Sequence, residues 1–363
     1  MTTIDGTPRA DGFRMPGEWG PHAGTWMLWP QRPDNWRDGA KPAQRAWVEA
    51  ISVISRFEQV TVGVNADQWE NARAMLPDGV RVVEMSNNDS WMRDIGPTFV
   101  VNDKDDVRLV HWHFNAWGGL VDGLYFPWDQ DELVPRKIAE IEGVDRYCAP
   151  LVLEGGSFHT DGEGTLITTE ECLLSEGRNP DLSREEIEGY LIDYLGVEKV
   201  IWLKRGIDPE ETNGHVDDVA CFVRPGVVLA GWTDNVSDWR HEILAENLEI
   251  LRNATDAKGR ALEVHTIPMP TTLKYTAEEV AGVDAVEGTL PREEGDEISA
   301  SYVNFYLCNG GLIVPMFGDV NDDAALTKLR ELFPDREVVG FAGREIVLGG
   351  GNIHCITQQQ PRG

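Results

Sequence analysis

Apolar residues recur every three to four positions over 42–57, with Ala43, Ala46, Trp47, Ala50 and Ile51 on one stripe, the spacing of a helix with one buried face. The same period predicts helices over 183–195, 237–254 and 322–333. Between them lie short β-branched or alternating runs at 59–64, 81–85, 164–169, 227–230 and 311–315, which predict strands. Strands and helices thus alternate, the pattern of an α/β fold. Segments 102–131 and 275–297 carry few periodic cues and are expected to be loops over one face.

Polar clusters interrupt the β-type runs at 87–94, 153–159, 213–217, 301–306 and around Cys355. Several set a carboxylate beside a glycine. Their recurrence suggests diverged repeats, each delivering a residue to one shared centre. No low-complexity tract or Pro/Ser linker divides the chain, so 1–363 reads as a single domain, with 1–14 as a flexible N-terminal extension.

Composition narrows the chemistry. The 41% hydrophobic content is enough for a sizeable core. The five cysteines (148, 172, 221, 308 and 355) lack the spacing of a disulfide framework or a zinc site, which points to a reducing compartment. The first six residues carry no basic or apolar targeting signal, and no stretch reaches eighteen apolar residues, so a cytoplasmic protein without a membrane segment is expected. A net charge of −30 argues against nucleic acid and permits a cationic partner, although most of such an excess ordinarily serves solubility.

Cys355 follows Gly349, Gly350 and Gly351 near the C-terminus. Glycines there let backbone approach a ligand closely, so Cys355 is a candidate nucleophile, with Gly350 and Gly351 lining its ligand. His215, after Gly214 and two residues before Asp217, is its candidate acid–base partner. On an extended strand that spacing would place His215 and Asp217 on one face. By the same alternation His354 should face away from Cys355 and be structural. Cys172, Cys221 and Cys308 lie in apolar runs and are expected to be buried. His111 with His113, and His159 with Asp161, have same-face spacing compatible with metal ligation, a weaker reading than the thiol. The 162–164 Gly-Glu-Gly lacks the lysine of a phosphate loop.

The segments WMRDIGPT (91–98), EGGSFHTDGEGTLITTEECLL (154–174), TNGHVDDVACFVRPG (212–226), ASYVNFYLCNGGLIVPMFGD (300–319) and GGGNIHCITQQ (349–359) resemble the motifs of the agmatine deiminase family. The resemblance runs from about Met15 to the C-terminus. It implies a pentein fold: a five-bladed, pseudo-symmetric α/β propeller of ββαβ units. It also implies hydrolysis of agmatine to N-carbamoylputrescine and ammonia, with no cofactor and no metal.

A guanidinium carbon is a poor electrophile, which favours a soft nucleophile and a two-step path through a covalent thiouronium. Cys355 fits as nucleophile and His215 as general acid and then base, the role the family implies. Asp94 and Asp217 are assigned to grip the planar cation. Glu154 matches a family acid that orients His215 or contacts the guanidinium. Trp91 is a candidate flank for the methylenes, and Asp89 or Glu211 for the distal ammonium. Because carboxylates oppose thiolate formation, Cys355 is expected to be a thiol until the cation binds.

Ser157, Phe158 and the 218–220 run Asp-Val-Ala depart from the expected family pattern and bear on substrate length and terminal group. The alternatives are a deiminase of another small guanidino compound, an amidinotransferase, or a metal-dependent guanidine hydrolase. The resemblance further implies a homodimer or higher homo-oligomer.

Overall fold

The computed structural model describes residues 1–208 and 210–363. The expected helices form as Lys41–Ile54, Arg184–Leu195, Arg240–Asn253 and Asp322–Leu332. Arg184–Leu195 shows the local logic. Ser183 accepts from the Glu186 amide while the Glu186 carboxylate takes the Ser183 amide, and Gly196 stops the helix in a left-handed conformation at φ 68°. Another helix, Val134–Glu142, opens on Val134 and Pro135 and buries Ile138 and Ala139; it is too short for its period to stand out.

Five sheets of three or four strands, and one two-stranded ribbon, form among the described residues. Each of the five contains an antiparallel pair followed by a parallel partner. The triplets are Thr98–Val101, Val107–His113 and Arg146–Val152; Phe158–Thr160, Thr165–Thr169 and Lys199–Leu203; and Ala220–Arg224, Val227–Trp232 and Glu263–Pro268. The fourth is Tyr306–Cys308, Gly311–Met316 and Glu337–Ala342. The fifth joins the two ends of the chain: Gln358–Pro361 runs antiparallel to His22–Leu28, which is parallel to Val60–Val64. A helix spans each parallel crossover, as parallel pairing requires.

Two loop expectations change. Val107–His113 is a strand inside 102–131, its polar ends masking a short apolar centre. Within 275–297 the one helix is Ala277–Ala281. The N-terminal residues are docked rather than free: Thr3–Ile4 pairs with Arg146–Val152, and Phe13 and Met15 are buried. No helix is long and apolar enough to cross a membrane among the described residues.

One apolar cluster holds Trp26, Trp36 and Trp47 together with Ile353, Cys355 and Ile356, so the core itself fixes the cysteine-bearing turn. Ile353 is fully buried there. Ile353→Ala should therefore lower unfolding free energy by about 2–5 kcal/mol, measured from the shift in denaturant midpoint.

Candidate active site

Five residues of the centre sit in the segments that enter the first strand of each triplet. Asp94 lies in the helical turn Met92–Ile95, ahead of Thr98–Val101. Glu154 precedes the turn Gly155–Ser157 and the strand Phe158–Thr160. His215 precedes the turn Val216–Asp218 and the strand Ala220–Arg224. Asn304 comes just before Tyr306–Cys308, and Cys355 just before Gln358–Pro361. Residues 215–217 are thus not an extended strand, as expected, but enter a single helical turn. His215 and Asp217 still approach each other, because the turn folds them back.

Cys355 Sγ lies 3.6 Å from Asp217 Oδ2 and accepts from Asn304 Nδ2 at 3.1 Å. Asn304 Oδ1 accepts the His354 amide at 3.0 Å, so one amide side chain braces both the sulfur and its backbone. Burial first, then Asp217, Asp218 and Asp94, push the Cys355 thiol well above its ordinary range. The free site therefore holds a neutral thiol at neutral pH.

His215 Nδ1 is 3.9 Å from both Asp94 Oδ1 and Asp217 Oδ1, and its Nε2 is 3.7 Å from Glu154 Oε2. Burial disfavours its charged form, yet Asp94, Cys172 and Glu154 outweigh burial and raise its pKa well above the usual imidazole value. Asp94 takes hydrogen bonds from Gly156 N at 2.9 Å and Trp117 Nε1 at 3.0 Å. Its pKa is pushed up to about 6, mainly by burial, with Asp217 and Glu154 adding to the rise and His215 opposing it. Glu154 is clamped by Arg178 Nε at 2.7 Å and stays below the ordinary carboxyl range despite burial. Glu154 Oε2, His215 Nε2 and Asp217 Oδ1 are buried without hydrogen-bond partners.

Trp91 stacks on Trp36 with ring centroids 5.1 Å apart. Its ring and Cys355 Sγ would lie 2.7 and 2.9 Å from a Cβ at Gly351, which is why that position admits no side chain. Gly350, at φ +113°, backs onto the Glu211 carboxylate. Both tail candidates already carry an arginine: Asp89 is 3.0 Å from Arg32 and Glu211 is 3.3 Å from Arg292. A small cavity of about 30 Å³ lies among Asp89, Trp91, Trp117, Arg292 and Gly349.

His354 does not face away from Cys355, because residues around it turn rather than extend: its Nδ1 meets Asp217 Oδ2 at 2.8 Å. His111 and His113 instead bond to Glu132, and His159 Nδ1 to the Phe222 amide. Among the described residues, the one set of three metal-type donors within 4.8 Å of one another is Glu154, Cys172 and His215. Arg178 already supplies the cation beside that set. Arg178, Trp117, Asn304 and Glu18 were not picked out in the sequence. Asn304 lies inside the polar cluster 301–306, and assigning one inward polar residue to each cluster identifies it.

The chain matches the Porphyromonas-type peptidyl-arginine deiminase family over residues 14–361. An agmatine deiminase of Pseudomonas aeruginosa (strain LESB58) is 58% identical over 363 residues, covering 99% of each chain. The structure of an agmatine deiminase of Enterococcus faecalis has a TM-score of 0.98 at 56% identity, covering 100% of both chains. A dimethylarginine dimethylaminohydrolase structure shares the fold at a TM-score of 0.50 and 12% identity, over 93% of this chain and 99% of that one.

Gly156 stands where three groups of the centre converge. A Cβ there would lie 2.7 Å from His215 Nδ1, 2.9 Å from Asp94 Oδ1 and 3.0 Å from Asp217 Oδ2. Gly156→Ala should displace all three groups and lower kcat/KM by about 100-fold or more, while circular dichroism stays native.

Proposed function

The chain belongs to the Porphyromonas-type peptidyl-arginine deiminase family and, within it, to the agmatine deiminases, and from that premise we propose that it hydrolyses agmatine to N-carbamoylputrescine and ammonia through a covalent adduct on Cys355. It is a hydrolase of C–N bonds in linear amidines. The observation that carries the reading is the meeting of thiol, imidazole and carboxylates: Cys355 is 3.6 Å from Asp217, and His215 is 3.9 Å from Asp217 and from Asp94.

The chemistry follows from the charges. Asp94 and Asp217 receive the guanidinium, whose positive charge offsets the carboxylates that hold Cys355 as a thiol. As the cation enters, Cys355 loses its proton to water and its sulfur attacks the guanidinium carbon. His215, an imidazolium in the free site, gives its proton to the departing ammonia. The neutral imidazole then takes a proton from water, which attacks the thiouronium and releases the ureido product. Glu154, fixed by Arg178, orients His215. Trp91 flanks the methylenes beside the backbone of Gly350 and Gly351, and the distal ammonium exchanges for an arginine at Asp89 or Glu211.

The same reading makes the five triplets the blades of a pentein propeller, and the whole chain 1–363 one catalytic domain. A cytoplasmic homodimer or higher homo-oligomer, acting without cofactor or metal, completes it.

Two outcomes are expected. Release of ammonia and ureido product from agmatine, compared with arginine and a guanidino acid, should favour agmatine, resist chelator and vanish in Cys355→Ala. Turnover surviving in that variant would contradict the mechanism. Asp94 must be ionised to bind the cation, so kcat/KM should fall as pH drops through about 6; a pH–rate profile flat down to pH 5 would contradict the assignment.

A further inference from the structure

Behind Asp217 lies a buried train of charged groups that the reaction above does not use. His354 sits between two carboxylates, with Nδ1 2.8 Å from Asp217 Oδ2 and Nε2 3.0 Å from Glu18 Oε1. Arg93 Nη1 is 3.2 Å from the same Glu18 oxygen, and His159 Nε2 is 3.6 Å from the other. Glu18 and His354 are only 4% and 3% exposed. They come from opposite ends of the chain.

The bond to His354 divides the labour of the Asp217 carboxylate. Oδ2 is tied down, so the group cannot rotate freely, and Oδ1 is left without a partner on the side facing His215, 3.9 Å away. An imidazole with a carboxylate on each nitrogen favours its charged form. We propose that His354, gripped by Glu18, is a positioning residue that keeps Asp217 ionised and its Oδ1 turned toward the substrate guanidinium. This rests on the agmatine deiminase reading of the site.

Asp218, the next residue in the same turn, provides an internal comparison. It is 4% exposed, and no imidazole hydrogen-bonds to it among the described residues. Burial, then Asp217 and Asp208, push its carboxyl well above the ordinary range. Burial acts on Asp217 as well, but the His354 hydrogen bond and charge, with His215 and Arg93, hold it below that range. Without His354, Asp217 keeps His215 and Arg93 but loses its hydrogen-bonded cation, and its carboxyl should rise toward that of its neighbour.

The groups facing Asp217 are His354 and Cys355 from the C-terminal turn, His215 and Asp218 from its own, and Arg93 and Asp94 from Met92–Ile95. Asp208 and Cys221 also lie within its field. His354 is faced by Glu18, Arg93 and Asp217, with the His159 ring 6.4 Å away. Removing the imidazolium takes away the one cation hydrogen-bonded to Asp217, so its carboxyl must rise and guanidinium binding must be lost at higher pH.

The test is calorimetric binding of agmatine to the Cys355→Ser protein across pH, alone and with Glu18→Gln or His354→Gln added. In the reference protein affinity should fall below about pH 6, with Asp94. In both double variants the fall should begin at least about one pH unit higher, with affinity recovering toward the reference at alkaline pH. Superimposable pH profiles would overturn the proposal, as would a loss equal at every pH, which marks a merely structural role. Should His354→Gln fail to fold, Glu18→Gln, which keeps its shape, decides the matter alone. A reference protein that binds no agmatine at any pH would overturn the agmatine reading instead.

Discussion

Keeping carboxylates ionised out of water is the constraint on which the centre of this molecule depends. Glu18, Asp94, Glu154, Asp217 and Asp218 are each at most 5% exposed. An isolated buried carboxylate would be protonated rather than charged. The structure answers case by case. Glu154 has Arg178 at 2.7 Å, Asp217 has His354 at 2.8 Å, and Glu18 has Arg93 at 3.2 Å, and all three carboxyls sit below their usual range. Asp94 has only neutral donors at hydrogen-bond distance and rises to about 6. Asp218, buried beside Asp217 and Asp208, is pushed well above the ordinary carboxyl range. The site is thus a graded set of acids whose uncompensated part awaits a cation.

The fold delivers these groups by repetition. Five times the chain enters an antiparallel pair through a short turn, and five times that turn carries a residue of the centre. The turns can pack so closely because glycine stands at their contacts, Gly156 against His215 and Gly351 against Trp91 and Cys355. Pairing Gln358–Pro361 with His22–Leu28 fastens the thiol's turn into the sheet at the start of the chain.

Much of this was legible in the sequence. Helix periods placed all four long helices within a few residues of their ends, since each buries an apolar stripe, and Arg184–Leu195 adds a capping box and a glycine stop. The polar clusters marked all five turns, because each sets polar side chains beside residues that enter a β-type run. Period-2 reasoning failed at His215 and His354, where the chain turns instead of extending; local alternation carries no information about such a reversal. Arg178 and Glu18 were invisible for another reason. Each lies far in sequence from the acid or imidazole it serves, and an isolated charged residue looks like any solvated one until the fold closes over it.

The central claim is that the carboxylates hold Cys355 as a thiol until a cation arrives. The most direct measurement is ultraviolet thiolate absorbance against pH, as a difference between the free protein and Cys355→Ala, with folding checked at each pH. The account predicts no ionisation assignable to Cys355 until above the ordinary thiol value of 9.0. A step below about pH 7, in the range of activated cysteines, would contradict it.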